Sequence, residues 1–269
     1  MSRSWNGPGT VVAMLALATL AGCGDGAAPR APAAASSSTA TAATPAGDLT
    51  VFAAASLTDA FETIGADFSE ANPEVTVAFN FGGSSALAQQ VLSGAPADVF
   101  AAASPSTMQV VVGAGEAAAE PEVFVTNTLQ IAVPRGNPAG VTGLASFAEE
   151  ELTIALCAVE VPCGAAASTV FDAAGVVPAP DTLEQDVRAA LSKVELGEVD
   201  GALVYRTDVI AAGEAVEGID FAESAEAVNA YPIAVLTGAP NTDAAQAFVA
   251  YVTSPQGQQV LAAAGFAGP

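Results

Sequence analysis

Residues 49–69, LTVFAAASLTDAFETIGADFS, join a short apolar segment directly to a segment with helical periodicity. The uncharged run Leu49–Ala55 predicts a buried strand, and apolar side chains between Leu57 and Ser69 recur at the three- and four-residue spacing of one helix face. Ser56 lies at the junction of the two segments. A strand that leads straight into a helix is the unit from which parallel α/β sheets are built.

The same unit follows twice more along the chain. Predicted strands at Val75–Phe81 and Asp98–Ala103 precede helical segments that begin near Ala86 and Pro105. This β-α-β-α-β order predicts a mainly parallel sheet with helices on both faces.

After a break the alternation of strands and helices resumes. Strands are predicted at Thr128–Pro134, Thr153–Cys157, Gly201–Tyr205 and Tyr231–Thr237, and helices at Gly164–Ala174, Leu183–Leu196, Thr242–Val252 and Pro255–Ala264. The length of 269 residues is sufficient for two lobes of about 100 residues each. No segment repeats at the period of a solenoid, so we expect a globular α/β fold.

The charge and composition exclude several classes of function. With 29 acidic and 6 basic residues the formal net charge is −23, which repels nucleic acid and anionic lipid surfaces. The chain has no histidine, so His-based zinc sites and Ser-His-Asp triads are excluded. Lys193 is the only lysine, and no motif links it to a serine as a catalytic base. We therefore expect a protein that is not an enzyme and uses no cofactor.

Residues 1–23 have the features of a secretory signal. Arg3 precedes an apolar run over residues 11–21, which is shorter than the roughly 20 residues that a membrane-spanning helix requires. The run ends in Leu20-Ala-Gly-Cys23, which resembles the bacterial lipoprotein box, whose cysteine is acylated and becomes the new N-terminus. A plain signal peptide with an incidental cysteine is the alternative.

Residues 24–47 consist almost entirely of Ala, Ser, Thr, Pro and Gly, a composition that predicts a flexible tether. The folded part is expected to begin at about Asp48. Together these features predict an extracytoplasmic protein that a lipid on Cys23 anchors to the outer face of the cell membrane. In that compartment disulfide bonds are allowed.

Three predicted junctions between a strand and a helix are candidate anion sites. Ser56 and Ser84 each start a helix among Gly and Ala residues, and Pro162-Cys163-Gly164 precedes a third helix. The first amides of a helix have no partner within it and carry partial positive charge, so they bind anions without lysine or arginine. Each serine alone is more often a simple helix cap. Tyr205, which ends a predicted strand with a neutral hydroxyl donor, is by itself more often a packing residue.

Seven segments carry a resemblance to a known family. They are Val51–Thr58, Phe81–Gln89, Gly94–Phe100, Val161–Gly164, Asp186–Arg188, Leu203–Tyr205 and Tyr231–Val235. From about Leu49 to its C-terminus the chain resembles the molybdate-binding proteins of bacterial ABC importers. The resemblance implies the type II periplasmic binding protein fold, with lobe I over residues 48–126 and 229–269 and lobe II over residues 127–228. It also implies molybdate or tungstate as ligand and the permease of an ABC importer as partner; a monomer is expected.

The resemblance also implies which residues hold the oxyanion. They are Ser56 and Ser84 from lobe I and Cys163, Val187 and Tyr205 from lobe II, acting through hydroxyls and backbone amides with no direct ligand to the metal atom. Gly82 and Gly83 stand where serine is more frequent in the family, so Ser85 is an alternative to Ser84. The same fold with another oxyanion, such as sulfate or thiosulfate, is the alternative function.

Cys157 and Cys163 are six residues apart in a chain expected to be exported. This spacing in that compartment favours a local disulfide bond. Such a bond would brace the loop that presents the amide of Cys163. A free pair, with Cys157 buried as a small apolar side chain, is the alternative.

Overall fold

The computed structural model describes residues 44–269. The predicted signal segment 1–23, its acylated Cys23 and residues 24–43 of the predicted tether lie outside the described residues. Within residues 44–269, no helix combines the length and the apolar character that crossing a membrane requires.

Ten strands and eight α-helices form the described part of the chain. The strands are β1 (Gly47–Ala54), β2 (Val75–Gly82), β3 (Val99–Ala101), β4 (Glu122–Asn127), β5 (Leu129–Pro134), β6 (Ile154–Cys157), β7 (Thr182–Glu184), β8 (Gly201–Tyr205), β9 (Val216–Ile219) and β10 (Asn229–Val235). The helices are α1 (Thr58–Ala71), α2 (Ser84–Leu92), α3 (Pro105–Gly113), α4 (Pro162–Ala174), α5 (Val187–Glu195), α6 (Arg206–Ala212), α7 (Thr242–Thr253) and α8 (Pro255–Ala263). Short 3-10 turns occur at Ala55–Leu57, Leu144–Ala148, Gly213–Ala215 and Ala222–Glu226.

The strands form two five-stranded sheets, one in each lobe. The sheet of lobe I has the order β2-β1-β3-β10-β4, and the sheet of lobe II has the order β7-β6-β8-β5-β9. In lobe I, β1 pairs in parallel with β2 and β3, while β10 is antiparallel to β3 and β4. In lobe II, β6 is parallel to β7 and β8, while β5 is antiparallel to β8 and β9. The predicted fold class, two α/β lobes that each contain a sheet and helices, is confirmed. The sheets were predicted to be mainly parallel, but each is evenly mixed, with two parallel and two antiparallel strand pairings.

The chain crosses between the two sheets twice. The first crossing lies between β4 and β5, and the second lies just before β10. Asn127 and Asn229 lie opposite each other in the register of β4 and β10, and both are buried. The asparagine pair therefore marks the hinge, where both connections between the lobes run side by side.

Each lobe has its own hydrophobic core. In lobe I, the rings of Phe61, Phe68 and Phe248 pack edge to face between α1 and α7. In lobe II, aliphatic side chains from β5, β6, β8, α4 and α5 fill the interior. Each core lies within one lobe. The cleft between the lobes is therefore lined by the strand ends and helix starts that face it.

The structure corrects the sequence-based prediction in lobe II. The helix predicted at Leu183–Leu196 begins only at Val187, because Thr182–Glu184 pairs with β6 as the edge strand β7 and Asp186 caps the helix by accepting from the amide of Ala189. The prediction also missed β4, β9 and α6. β4 and β9 pair with strands that are distant in the sequence, and α6 has only 7 residues, so local periodicity does not reveal them.

Candidate functional site

A small cavity lies between the lobes, where strands end and helices begin on both sides. Its lining residues are Ala54, Ala55, Ser56, Gly82, Gly83, Ser84 and Ala103 from lobe I and Val161, Pro162, Cys163, Asp186, Val187 and Tyr205 from lobe II. All five residues proposed from the sequence are thus brought together around one cavity. The volume of the cavity, taken as the space open to the centre of a water-sized sphere, is about 20 Å³. That volume exceeds the ~10–15 Å³ which one water molecule needs, so the cavity suits a small ion and not an organic molecule of sugar size.

Three α-helices begin at the cavity. The first intrahelical bonds in α2, α4 and α5 are donated by the amides of Leu87, Ala165 and Ala190. The amides of Ser84, Cys163 and Val187 therefore come before the first intrahelical bond of their helices, and they have no acceptor within the helix. Three helix N-termini that converge on one point place partial positive charge there without a cationic side chain.

The two neighbouring serines at the start of α2 have different environments. Ser84 is buried and lines the cavity, and its Oγ accepts a hydrogen bond of 3.0 Å from the amide of Ala103. The Oγ of Ser85 donates instead to the carbonyl of Glu160 in lobe II, at 2.8 Å. Between these two alternatives the geometry favours Ser84 as the cavity residue, while Ser85 joins the lobes at the rim.

Two further polar side chains support the hydroxyl groups of the site from behind. The Tyr231 hydroxyl lies 2.9 Å from Ser56 Oγ. The amide nitrogen of Asn229 donates to the Tyr205 hydroxyl at 3.0 Å and to the carbonyl of Ala103 at 2.9 Å. Sequence reasoning missed both residues, because Tyr231 contacts a serine 175 positions away and no local motif indicates such a contact.

Both tyrosines remain neutral hydroxyl donors over the physiological pH range. Burial, followed by the proximity of Tyr231 and Asp208, raises the pKa of Tyr205 well above its ordinary value. Burial also raises the pKa of Tyr231, against the lowering effect of its hydrogen bond with Ser56. A phenol that stays protonated can donate to an anion, whereas a phenolate would repel it.

A disulfide bond between Cys157 and Cys163 joins the end of β6 to the start of α4, with the two Cα atoms 5.7 Å apart. The next residue, Gly164, packs against the same loop so closely that a Cβ atom there would lie 1.9 Å from the carbonyl oxygen of Ala158. The disulfide and the close contact at Gly164 together fix the loop that carries the amide of Cys163.

Charged side chains lie beside the cavity. Arg188 on α5 forms an ion pair with Asp59 of lobe I, and its Nε lies 3.0 Å from Oδ1 of the fully buried Asp208 in lobe II. Asp208 Oδ2 also accepts from the backbone amide of Tyr205. Burial raises the pKa of the Asp208 carboxyl to about 7, although Arg188 and the Tyr205 amide oppose the rise and Asp59 and Asp186 add to it.

The groups that the described residues present to the cavity are suited to hold an anion. The cavity presents serine and tyrosine hydroxyls and backbone amides, while the carboxylate of Asp186 is engaged as the cap of α5. Among residues 44–269, the side chains that line the cavity include no lysine or arginine. Nor does this part of the chain hold a group of three or more Cys, Asp or Glu side chains arranged to bind a metal ion.

Comparisons with known proteins agree with this geometry. A family profile described as bacterial extracellular solute-binding protein matches residues 49–267. A molybdate-binding protein ModA from Mycobacterium tuberculosis is 39% identical over 221 residues, which cover 82% of this chain and 85% of the relative. A putative ABC transporter substrate-binding lipoprotein, YvgL from Bacillus subtilis, is 30% identical over 81% of this chain and 85% of its own length.

Among solved structures, the substrate-binding domain of a putative molybdenum ABC transporter from Clostridium difficile is similar to this chain. It superposes with a TM-score of 0.61 at 25% sequence identity, over 82% of this chain and 99% of that domain.

Proposed function

The chain belongs to the family of bacterial extracellular solute-binding proteins, and we propose that it captures molybdate or tungstate outside the cytoplasm and delivers the ion to the permease of an ABC importer. The observation that carries this proposal is the cavity of about 20 Å³, which both lobes line with helix N-termini and hydroxyl groups. Its size suits a tetrahedral oxyanion, and its donors suit a fully deprotonated one.

The hydroxyls of the cavity are arranged so that their protons remain available to the ion. Ser84 Oγ already accepts from Ala103, and the Tyr205 hydroxyl already accepts from Asn229. If Tyr231 donates to Ser56, the proton of Ser56 is also left for the ligand. A hydroxyl group has one proton to donate. Because each of these hydroxyl oxygens accepts its hydrogen bond from the protein, that proton remains available for the anion.

The binding energy comes from neutral donors in a closed cleft. Burying a dianion without partners is prohibitive, and each hydrogen bond to a charged group contributes about 1.5–3 kcal/mol. Five residues acting through hydroxyls and amides can therefore support nanomolar affinity, about −12 kcal/mol, after the cost of association. Ser56 and Ser84 would engage the ion in the open cleft, and closure would add Cys163, Val187 and Tyr205.

Selection against the smaller sulfate ion follows from the same geometry. Donors held at positions that fit a larger tetrahedral ion stay too far from some oxygens of a smaller one, and each unpaired donor loses binding energy. The sulfate alternative keeps the fold but requires a tighter set of donors.

Calorimetric titration of the purified protein tests the proposal. We expect one ion of molybdate or tungstate to bind per chain with nanomolar affinity and sulfate, thiosulfate and phosphate to bind at least 100-fold more weakly. Tight binding of sulfate with no heat from molybdate would refute the assignment.

We also propose that Cys23 carries the lipid that anchors the protein to the outer face of the cell membrane and that the protein acts as a monomer. The lipid attachment is supported by the Leu20-Ala-Gly-Cys23 motif and by the similarity to the lipoprotein of Bacillus subtilis. The substitution Cys23→Ser should move the protein from the membrane fraction to the soluble fraction of cells. Retention of the variant in the membrane fraction would contradict lipid attachment at this residue.

A further inference from the structure

The backbones of the two lobes lie close together at Gly83. A Cβ atom built on Gly83 would lie 2.3 Å from the carbonyl oxygen of Gln185 in lobe II and 3.5 Å from the Cβ of Asp186. A carbon atom so close to a backbone oxygen is not tolerated, and a carbonyl cannot rotate away as a side chain can. The lobes can adopt this arrangement only because residue 83 has no side chain.

The requirement for glycine does not come from the local backbone. Gly83 has φ −60° and ψ 125° as the N-cap of α2, which is a conformation that any residue adopts. Gly82, the preceding residue, would place a Cβ at 3.8 Å from the Leu87 side chain, an ordinary contact. The steric restriction at position 83 therefore arises from lobe II alone.

Both sides of this contact carry proposed ligand groups. Gly83 precedes Ser84, which lines the cavity, and Gln185 lies two residues before Val187, which lines the cavity from the start of α5. The distance between the backbones at Gly83 and Gln185 thus determines how far the donors of lobe I lie from those of lobe II.

We propose that Gly83 is the residue that sets the closure distance of the two lobes and thereby the size of oxyanion that the cavity binds. This inference rests on the proposed function and deepens it. A side chain at position 83 would hold the lobes about 1 Å further apart, since a contact of 2.3 Å must relax to an ordinary one of at least 3.4 Å. The donors of Cys163, Val187 and Tyr205 would then fall short of the ion, while Ser56 and Ser84 would still reach it.

The substitutions Gly83→Ala and Gly83→Ser test this role in the full mature protein. Serine is the better N-cap residue, so Gly83→Ser should start α2 at least as well as glycine does and leave the thermal stability of the unliganded protein unchanged or raised. For both variants we expect the Kd for molybdate to rise at least tenfold, mainly through faster dissociation, and the selectivity for molybdate over sulfate to fall. Small-angle scattering should show that molybdate compacts the wild type more than either variant.

Gly238→Ala in lobe I is the matched control, because a Cβ at that position has no heavy atom within 4 Å. It should bind molybdate as the wild type does. If the wild type binds molybdate and both Gly83 variants retain its Kd and dissociation rate within a factor of two, the role of Gly83 is refuted while the proposed function stands. If the wild type itself does not bind molybdate, it is the proposed function that fails.

Discussion

At the scale of single residues, the site depends on which partner each hydroxyl already has. Ser84 and Tyr205 accept hydrogen bonds from groups of their own protein, and this leaves their protons for a ligand. Burial keeps Tyr205 protonated, because it raises the pKa of the phenol. A neutral donor set of this kind explains how a chain with a net charge of −23 can bind an anion.

Removing one of these donors should weaken binding without unfolding the protein. We expect Tyr205→Phe and Ser84→Ala each to raise the Kd for molybdate about 10- to 100-fold, the range that corresponds to one hydrogen bond to a charged group. Calorimetric titration measures the change. Tyr251→Phe is the control for the tyrosine, because its ring packs on Phe68 in lobe I and it does not line the cavity. Unchanged affinity in both Tyr205→Phe and Ser84→Ala would show that the ion binds elsewhere.

The residues of the site could be predicted from the sequence only where the signal is local. Ser56 lies in the turn between β1 and α1, and Ser84 is the first residue of α2, so their positions near a helix start can be predicted from periodicity. The contribution of Tyr231 could not be predicted, since it depends on a contact with Ser56 that only the folded chain creates. The same holds for Gly83, whose steric role depends on a carbonyl group of the other lobe.

At the scale of secondary-structure elements, α5 contributes both to the lining of the cavity and to the contact between the lobes. Its first residue, Val187, lines the cavity, and its next residue, Arg188, joins Asp59 on α1 to Asp208 in lobe II. The start of α5 was predicted four residues too early. Apolar residues at helical spacing already begin at Leu183, so the sequence pattern does not indicate the short strand β7 or the N-cap at Asp186. The ion pair between the lobes was not predictable, as charge spacing along one chain does not indicate contacts across a cleft.

Breaking the ion pair between the lobes should shorten the lifetime of the closed complex. Asp59 is 55% exposed and Arg188 26% exposed at the side chain, so the pair is partly screened by solvent and we expect a modest effect. Asp59→Asn should accelerate the dissociation of molybdate about two- to fivefold and leave the association rate nearly unchanged. Stopped-flow displacement measures both rates.

Glu214→Gln is the control for this variant, because it removes an exposed ion pair with Arg135 inside lobe II. It should leave the dissociation rate of molybdate unchanged. Equal dissociation rates for Asp59→Asn and the wild type would contradict a role of Arg188 in holding the lobes together.

At the scale of the whole molecule, a hinge joins the two lobes, and a carboxyl group is buried beside it in lobe II. Asp208 is fully buried in lobe II, where it faces Arg188, the backbone amide of Tyr205, Asp59 and Asp186. Its pKa is raised to about 7 in the folded protein, from an ordinary value of 3.8. The unfolded chain therefore releases this proton at lower pH than the folded chain does.

This difference predicts the sign of a pH effect on stability. The contribution of Asp208 is fully present below about pH 4 and is lost as the pH rises to about 7. The free energy of unfolding of the wild type, relative to Asp208→Asn, should therefore fall between these two pH values and level off above them. Urea titrations at a series of pH values measure it, and a relative stability that rises over the same range would contradict the raised pKa.

The acidic surface acts over the whole molecule but does not determine the site. Its field is screened over about 8 Å at physiological salt, whereas the amides and hydroxyls of the cavity touch the ligand directly. The surface charge should slow the approach of an anion, and the helix N-termini should hold it once it arrives.

The central claim is that the cavity selects one size of oxyanion through donors from both lobes. The most direct measurement is a calorimetric titration of molybdate into the protein in the presence of a large excess of sulfate. We predict that the Kd for molybdate stays in the nanomolar range and that the stoichiometry remains one ion per chain. Loss of the molybdate signal under sulfate would contradict the account, because it would show that the cavity does not distinguish the two ions.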